Sequence, residues 1–329
     1  MKNTIFTAIF IMASAVCLAD LPQNSGERGL MPIPAGYPSA DTTGPAAAGY
    51  TELTEAEAVT LRDPFDKWHP APEWCKLQDD GSYLIEGMHF TSGTLDIYHP
   101  NIHIRGCKFE LTKHYCVSFR PSASGCTIEY CEVSSRSGDC DPEVSIKESA
   151  SAQHALSYGI SASADNITIR HNNIYWSGDG IIFGGSDVTI TDNYIHDLTS
   201  WQETHNDGVQ MFGNQHDLLI KHNSIIMCLG DRGLRQTGAV SLFMDRPSPC
   251  SYQRVQVEDN FVAGGSFTFY GGGSKNPENT GKNEDVKFIN NKMSTYYFPK
   301  CGYWGQMAYG SEWGENGNEY TDNDLVPGE

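Results

Sequence analysis

The chain has 329 residues, and its 41 acidic against 22 basic side chains give a formal charge of −19. Such a surface repels nucleic acid and anionic membranes, which argues against both as partners. The length is large for one compact core but not for an elongated solenoid, which grows coil by coil.

Residues 1–19 read as a signal peptide: Lys2 supplies a positive start, Ile5 to Val16 form an apolar run, and Ala19 precedes a cleavable position at Asp20. The run is too short to span a bilayer, and no later stretch approaches the ~20 apolar residues a span needs. The expectation is a secreted, extracellular monomer, with no membrane association once the leader is removed. Residues 20–50 are rich in Pro, Gly, Ala and Ser and read as an extended arm or linker. Leu53 to Trp68 reads as an amphipathic helix that caps one end of the fold.

From residue 101 onward a nine-residue motif recurs seven times, starting at Asn101, Gly125, Asn166, Asp187, Asp217, Arg254 and Asp285. Its second, fourth and ninth positions are apolar, the alternation of a half-buried strand. The starts are 24, 41, 21, 30, 37 and 31 residues apart, as expected of coils carrying loops of unequal length. The seventh position holds Asn172, Asn193, Asn223, Asn260 and Asn291, and in the two earliest copies Cys107 and Cys131. Stacked coils would place these ~4.8 Å apart, close enough for an asparagine ladder, with the two cysteines in the same file as thiols or bridged.

A second strand lies between successive motifs, in Val117–Arg120, Tyr158–Ser161, Gly180–Gly185, Gly208–Gly213, Ala239–Asp245 and Ser266–Gly273. At least two short strands per coil, with a register-locked turn residue, predict an all-β right-handed parallel β-helix with N-terminal and C-terminal caps. A β-sandwich would need antiparallel hairpins and leaves the asparagine register unexplained. The domain plan is a signal peptide at 1–19, an N-terminal arm and cap at 20–75, the parallel β-helix at 76–295, and a C-terminal cap or packing strip at 296–329. Nine of the ten cysteines follow the leader, and export would permit disulfides among them, with at least one left over.

The repeat, with Asp179-Gly180-Ile181 and His205-Asn206-Asp207-Gly208-Val209-Gln210, resembles the pectate-lyase-like superfamily, in particular its secreted microbial members of unassigned activity. The likeness covers roughly residues 80–310. It implies a fold shared by calcium-dependent lyases, polysaccharide hydrolases, uronan epimerases and non-catalytic adhesion proteins. The three neighbouring aspartates with Gly-His-Gly of the hydrolases, and a pectate-lyase calcium motif, are not present in full.

Strand alternation points Ser118, Arg120, Ile182, Gln210, Phe212, Ser241, Phe243, Thr268 and Tyr270 outward, in one strip. Asp179 and Asp207 each precede the Gly that opens a strand, and belong near each other at the strip's edge, about one coil apart. His205 overhangs Asp207, and Asp245 with Arg246 closes the next strand. The first functional expectation is a lyase that cleaves a uronate-containing extracellular polysaccharide by β-elimination. His205, Asp207, Asp179 and Arg246 are its candidate catalytic residues, and calcium on Asp179 and Asp207 is its candidate cofactor. Gln210, Phe212, Arg120, Asp245 and Tyr270 are its candidate substrate contacts, Arg120, Arg235 or Arg246 facing a carboxylate. The alternatives are a glycoside hydrolase built on Asp179 and Asp207, and a non-catalytic glycan-binding or adhesion module that stacks sugars on Phe212, Phe243 and Tyr270. Against each stands a plainer reading: Asp-Gly is a common turn pair, and tryptophans such as Trp176 commonly pack under loops.

Overall fold

The computed structural model describes residues 31–111, 115–135, 156–198, 205–227, 236–243, 251–273 and 281–327. Three sheets of ten, ten and nine strands run the length of the molecule, and each strand pairs with the equivalent strand of the coils before and after it. Among the described residues all strand pairings are parallel except one, where Cys75–Leu77 folds back antiparallel on Tyr83–Glu86 at the N-terminal end. The chain is a right-handed parallel β-helix.

The motif explains the coil. Its second and fourth residues point inward, and Ile167, Ile169, Val188, Ile190, Ile220, Val255, Val257 and Phe288 are at most 1% exposed. They stack in register: Ile169 on Ile190, Ile190 on Ile220, Ile220 on Val257. Each such side chain contributes about 1.5–3 kcal/mol by leaving water. Two left-handed residues then turn the chain, one at the first position (Asn166, φ 58°; Asp187, 56°; Asp217, 56°) and one at the sixth (His171, 54°; Asp192, 58°; Asp259, 55°). Asn and Asp tolerate this region, which is why they crowd these positions. The eighth residue begins a third strand per coil, such as Asn173–Tyr175, whose inward residue is the apolar ninth and which supplies the remaining sheet.

The seventh position forms the asparagine file. Asn172 Nδ2 donates to Asn193 Oδ1 at 3.0 Å, Asn193 to Asn223 at 3.0 Å, Asn223 to Asn260 at 3.0 Å, and Asn260 to Asn291 at 3.0 Å. The file continues to Asn323, which accepts from Asn291 at 2.8 Å. Each Oδ1 also receives the backbone amide of the asparagine one coil earlier, so Asn193 N reaches Asn223 Oδ1 at 2.9 Å. At the other end Cys131 N donates to Asn172 Oδ1 at 2.9 Å, which puts the cysteines in the same file.

Those cysteines are thiols. Cys75, Cys107, Cys116, Cys126, Cys131 and Cys301 are all buried, and no disulfide joins any two described residues. Each fills a core gap as a small apolar side chain. Cys140, Cys228 and Cys250 lie outside the described residues.

The helix expected at Leu53–Trp68 is not formed. Thr54–Ala56 and Thr60–Leu61 are strands that pair with Met88–Phe90 and Leu95–Ile97. The first full coil offers two open strand edges, and those edges capture this segment while Ala58 and Leu61 turn into the core. The only described helix is one turn, Gly44–Ala47. At the other end Gly305–Ala308, Glu319–Thr321 and Asp324–Val326 join the three sheets as a last coil.

The N-terminal segment is an arm that runs backward along the stack. Met31, Ile33 and Tyr37 pack with Ile226, Phe261, Tyr296, Tyr297 and Val326 of the late coils. Further along, Gly36 O lies 2.8 Å from His222 Nε2, and Gly44 N donates to His171 O at 2.9 Å. Tyr50 ends the run in the first coils, where its hydroxyl donates to Glu86 at 3.1 Å. Its ring covers Gly106, at which a Cβ would come within 2.1 Å of it.

Candidate functional site

The nine-stranded sheet carries the strip anticipated from alternation. One outward row runs Asp96, Ser118, Ser161, Ile182, Gln210, Ser241, Tyr270. A second row lies at the strand openings. Tyr115 pairs with Tyr158, Tyr158 with Asp179, and Asp207 with Gly238. This row is outward because the next residue in each coil (Gly159, Gly180, Gly208) turns into a tight corner. A Cβ on Gly180 would meet Ile195 Cγ2 at 2.7 Å, and one on Gly208 would meet Ile225 Cγ2 at 2.3 Å. Only glycine fits there, and the residue before it is thrown to the outside.

The two carboxylates meet at this row. Asp207 N donates to Asp179 Oδ1 at 2.8 Å across one coil, and Ser241 Oγ donates to Asp207 Oδ1 at 2.5 Å from the next. Both aspartates are buried, at 5% and 1% exposure. Burial pushes the Asp179 carboxyl up to about 7, opposed only in part by the Asp207 amide. Gly238 keeps this contact open, since a Cβ there would lie 2.7 Å from Ser241 Oγ and 3.0 Å from the Tyr270 ring. Burial, then the Asp207 charge, raises the Tyr270 hydroxyl above its ordinary range.

Aromatic side chains continue the row in both directions. On one side Tyr158 stacks on Tyr115, centroids 5.4 Å apart, and Arg120 lies 5.6 Å from the Tyr115 ring. On the other, Tyr270 packs with Phe243 at 4.9 Å, Phe267 at 5.9 Å and Tyr309 at 6.1 Å.

Of the residues singled out from sequence, the structure brings Asp179 and Asp207 together, with Ser241 and Tyr270 beside them. Gln210 lies in the adjoining row, Phe212 is half-buried just after the same strand, and His205 is exposed immediately before it. Arg120 is not part of this cluster. It sits two strands away and is held by Asp96, Nη2 to Oδ1 2.6 Å. Thr268 points inward and is fully buried, because the extra inward residue at the strand opening shifts the alternation there by one. Asp245, Arg246 and Arg235 lie outside the described residues. Sequence reasoning missed Tyr115, Tyr158 and Gly238 as members of the row. The signal was available in Tyr158-Gly159, a dipeptide in register with Asp179-Gly180 and Asp207-Gly208.

Among the described residues, one group of three possible metal ligands comes together, Asp187, His216 and Asp217 on a different sheet. Asp217 there is already held by Arg254 at 2.6 Å.

Coil and strip together define a parallel β-helix that bears a buried carboxylate pair on one outer face. Residues 98–310 match the family described as the right handed beta helix region, and the chain belongs to that family. Among solved structures, the Dettilon tailspike protein (gp208) aligns over 84% of this chain and 55% of that one, at 16% identity and a TM-score of 0.45. The chain thus spans about half the length of that tailspike. No curated protein matches the sequence significantly.

Proposed function

We propose that the chain is a secreted, carbohydrate-active member of the pectate-lyase-like β-helices that binds a polysaccharide along the nine-stranded sheet and hydrolyses it at Asp179 and Asp207. The observation that carries this reading is the pair itself: two buried carboxyl groups on adjoining coils, one of them holding its proton up to a pH of about 7, midway along an aromatic strip. A proton held on Asp179 suits a general acid at a glycosidic oxygen. Asp207, fixed by the Ser241 hydroxyl, is the partner carboxylate. Residues one coil apart start ~4.8 Å from one another, near the shorter of the two carboxyl spacings glycosidases use, so retention of anomeric configuration is expected. Aromatic rings on either side of the pair suit stacking against sugar faces.

Hydrolysis is preferred over β-elimination because elimination from a uronate needs its carboxylate neutralised. Arg120, the described cation on the strip, is engaged with Asp96. Calcium takes 6–8 oxygen ligands, and among the described residues Asp179 and Asp207 gather with no third acidic or histidine ligand. No step is therefore routed through a metal. The test is incubation with neutral and acidic polysaccharides, with and without chelator. New reducing ends without ultraviolet absorbance from unsaturated uronates, lost in Asp207→Asn, support hydrolysis. Unsaturated products would replace it with a lyase, and binding with no product would leave a glycan-binding module.

A further inference from the structure

We propose that Trp176 is a subsite for a neutral branch sugar, so that the preferred substrate is a branched polysaccharide; this rests on the strip being the polysaccharide site. Trp176 alone joins the strand Asn173–Tyr175 to the strand Ser177–Phe183. It turns the corner with φ 57°, a left-handed conformation in which a bulky residue is strained. The same corner is taken by Asp197 (φ 45°) one coil on and by Gly264 (φ 82°) further along, residue types that enter this region readily.

Elsewhere in the molecule a large left-handed side chain has a packing reason. The ring of Tyr130 lies flat on His171, centroids 4.6 Å apart and planes 9° apart. Among the described residues Trp176 has no stacked ring of this kind. It touches Tyr175 edge-on at 5.0 Å and leaves 38% of its surface in solvent. A strained turn that holds an exposed indole, where Asp197 and Gly264 make the left-handed turn in two other coils, points to a ligand for the indole face.

Its position sets which part of the ligand it meets. Trp176 lies three residues before Asp179 in the same coil, ~10 Å along the strand direction. The row Tyr115, Tyr158, Asp179, Asp207 runs at right angles to that, from coil to coil. A main chain following the row therefore passes Trp176 at a distance of one or two sugar rings. What reaches the indole is a lateral substituent on the sugar near Asp179.

The experiment compares matched polymers: galactomannan with unbranched mannan, arabinoxylan with unbranched xylan, and xyloglucan with unbranched β-1,4-glucan oligosaccharides. Affinities are measured for the wild-type chain, Trp176→Asn and Trp176→Phe, with thermal unfolding alongside. The wild type is expected to favour the branched member of the pair it recognises by about three- to tenfold. Trp176→Asn should lose that preference while unfolding at the same or a higher temperature, since Asn relieves the backbone, and Trp176→Phe should keep part of it. Equal affinity of Trp176→Asn and wild type for the branched polymer, or a wild-type preference for the linear one, overturns the subsite while leaving the strip intact. Failure of the wild type to bind any of the six polymers overturns the neutral branch subsite, while the strip itself falls only if the wider panel of neutral and acidic polysaccharides is also neither bound nor cleaved.

Discussion

Two ladders run along this molecule, and they are built on opposite terms. The inner one, Asn172 to Asn323, repeats a single neutral amide in six successive coils, and every link has the same partners at nearly the same distance. The outer one, Tyr115, Tyr158, Asp179, Asp207 and Gly238, changes from tyrosine to aspartate to glycine within five coils, and at its centre two carboxyl groups are buried side by side. In the first, donors and acceptors balance, so burial strengthens each bond. In the second, burial raises Asp179 to about 7, a cost a purely structural position has no reason to carry. Where a repeat protein stops repeating is where its chemistry is to be sought.

That contrast can be broken in several ways. Asp207→Asn should lower turnover by about a thousandfold or more, because the carboxylate goes while the shape stays. Circular dichroism and unfolding temperature should remain near those of the wild type, and parallel loss of both would return Asp207 to the structural ladder. Asn223→Ala should do the reverse. It removes the donor to Ile190 O, Lys221 O and Asn260 Oδ1, and the acceptor for two groups of Asn193. With several buried polar groups left unpaired, a loss of about 3–5 kcal/mol is expected in chemical denaturation. A loss below about 1 kcal/mol would mean that the file is decorative.

The third prediction concerns pH. A free aspartate ionises near 3.8, whereas Asp179 in the folded chain keeps its proton to about 7. The unfolded state therefore releases the proton first, and stability falls as pH climbs from about 4 to about 7, then levels off. Asp179→Asn removes that dependence while its amide oxygen can still accept the Asp207 N–H. The variant should gain on the wild type by up to about 1.4 kcal/mol per pH unit across that window. Urea titrations at pH 4, 5.5 and 7 measure this, and parallel curves for the two proteins would refute it. If Asp179 is the acid, wild-type turnover should also decline above pH 7. The smallest effect is expected from Ser241→Ala, which deletes one hydrogen bond to Asp207, at about tenfold in turnover, equivalent to ~1.4 kcal/mol.

Much of this architecture can be read from the residues alone. The inward set at positions two, four and nine is a period-two pattern, and the asparagine register needs only counting. The coils at either end were harder to see because their motifs are worn. Met88 occupies the asparagine file in the coil that begins near Tyr83, and in the last coil Asn318 stands where an apolar residue would. The Asp179–Asp207 approach followed from two Asp-Gly pairs one coil apart. The inward turn of Thr268 did not follow, since the additional residue at each strand opening is a backbone feature that simple alternation does not count. Cys107 and Cys131 could be put in the file, but their reduced state could not be read from spacing. The misread helix at Leu53–Trp68 has another cause: local amphipathicity was overridden by strand edges supplied by residues some thirty positions later.

The backward-lying arm bears on assembly. Tyr37 rests on His222 and Phe261, and Met31 belongs to the cluster that includes Val326, so the earliest described residues find their seats on coils that a ribosome delivers much later. Coil-on-coil growth could begin anywhere and proceed by neighbour contacts. The outer end of the strap has no such freedom, because the contacts of Met31, Ile33 and Tyr37 with Phe261, Tyr296, Tyr297 and Val326 span most of the polypeptide and close only once the late coils exist. It works as a seal on the late coils: a chain cut short before Phe261 would keep its early coils and the anchors of Gly44 and Tyr50 but leave Met31, Ile33 and Tyr37 open to water.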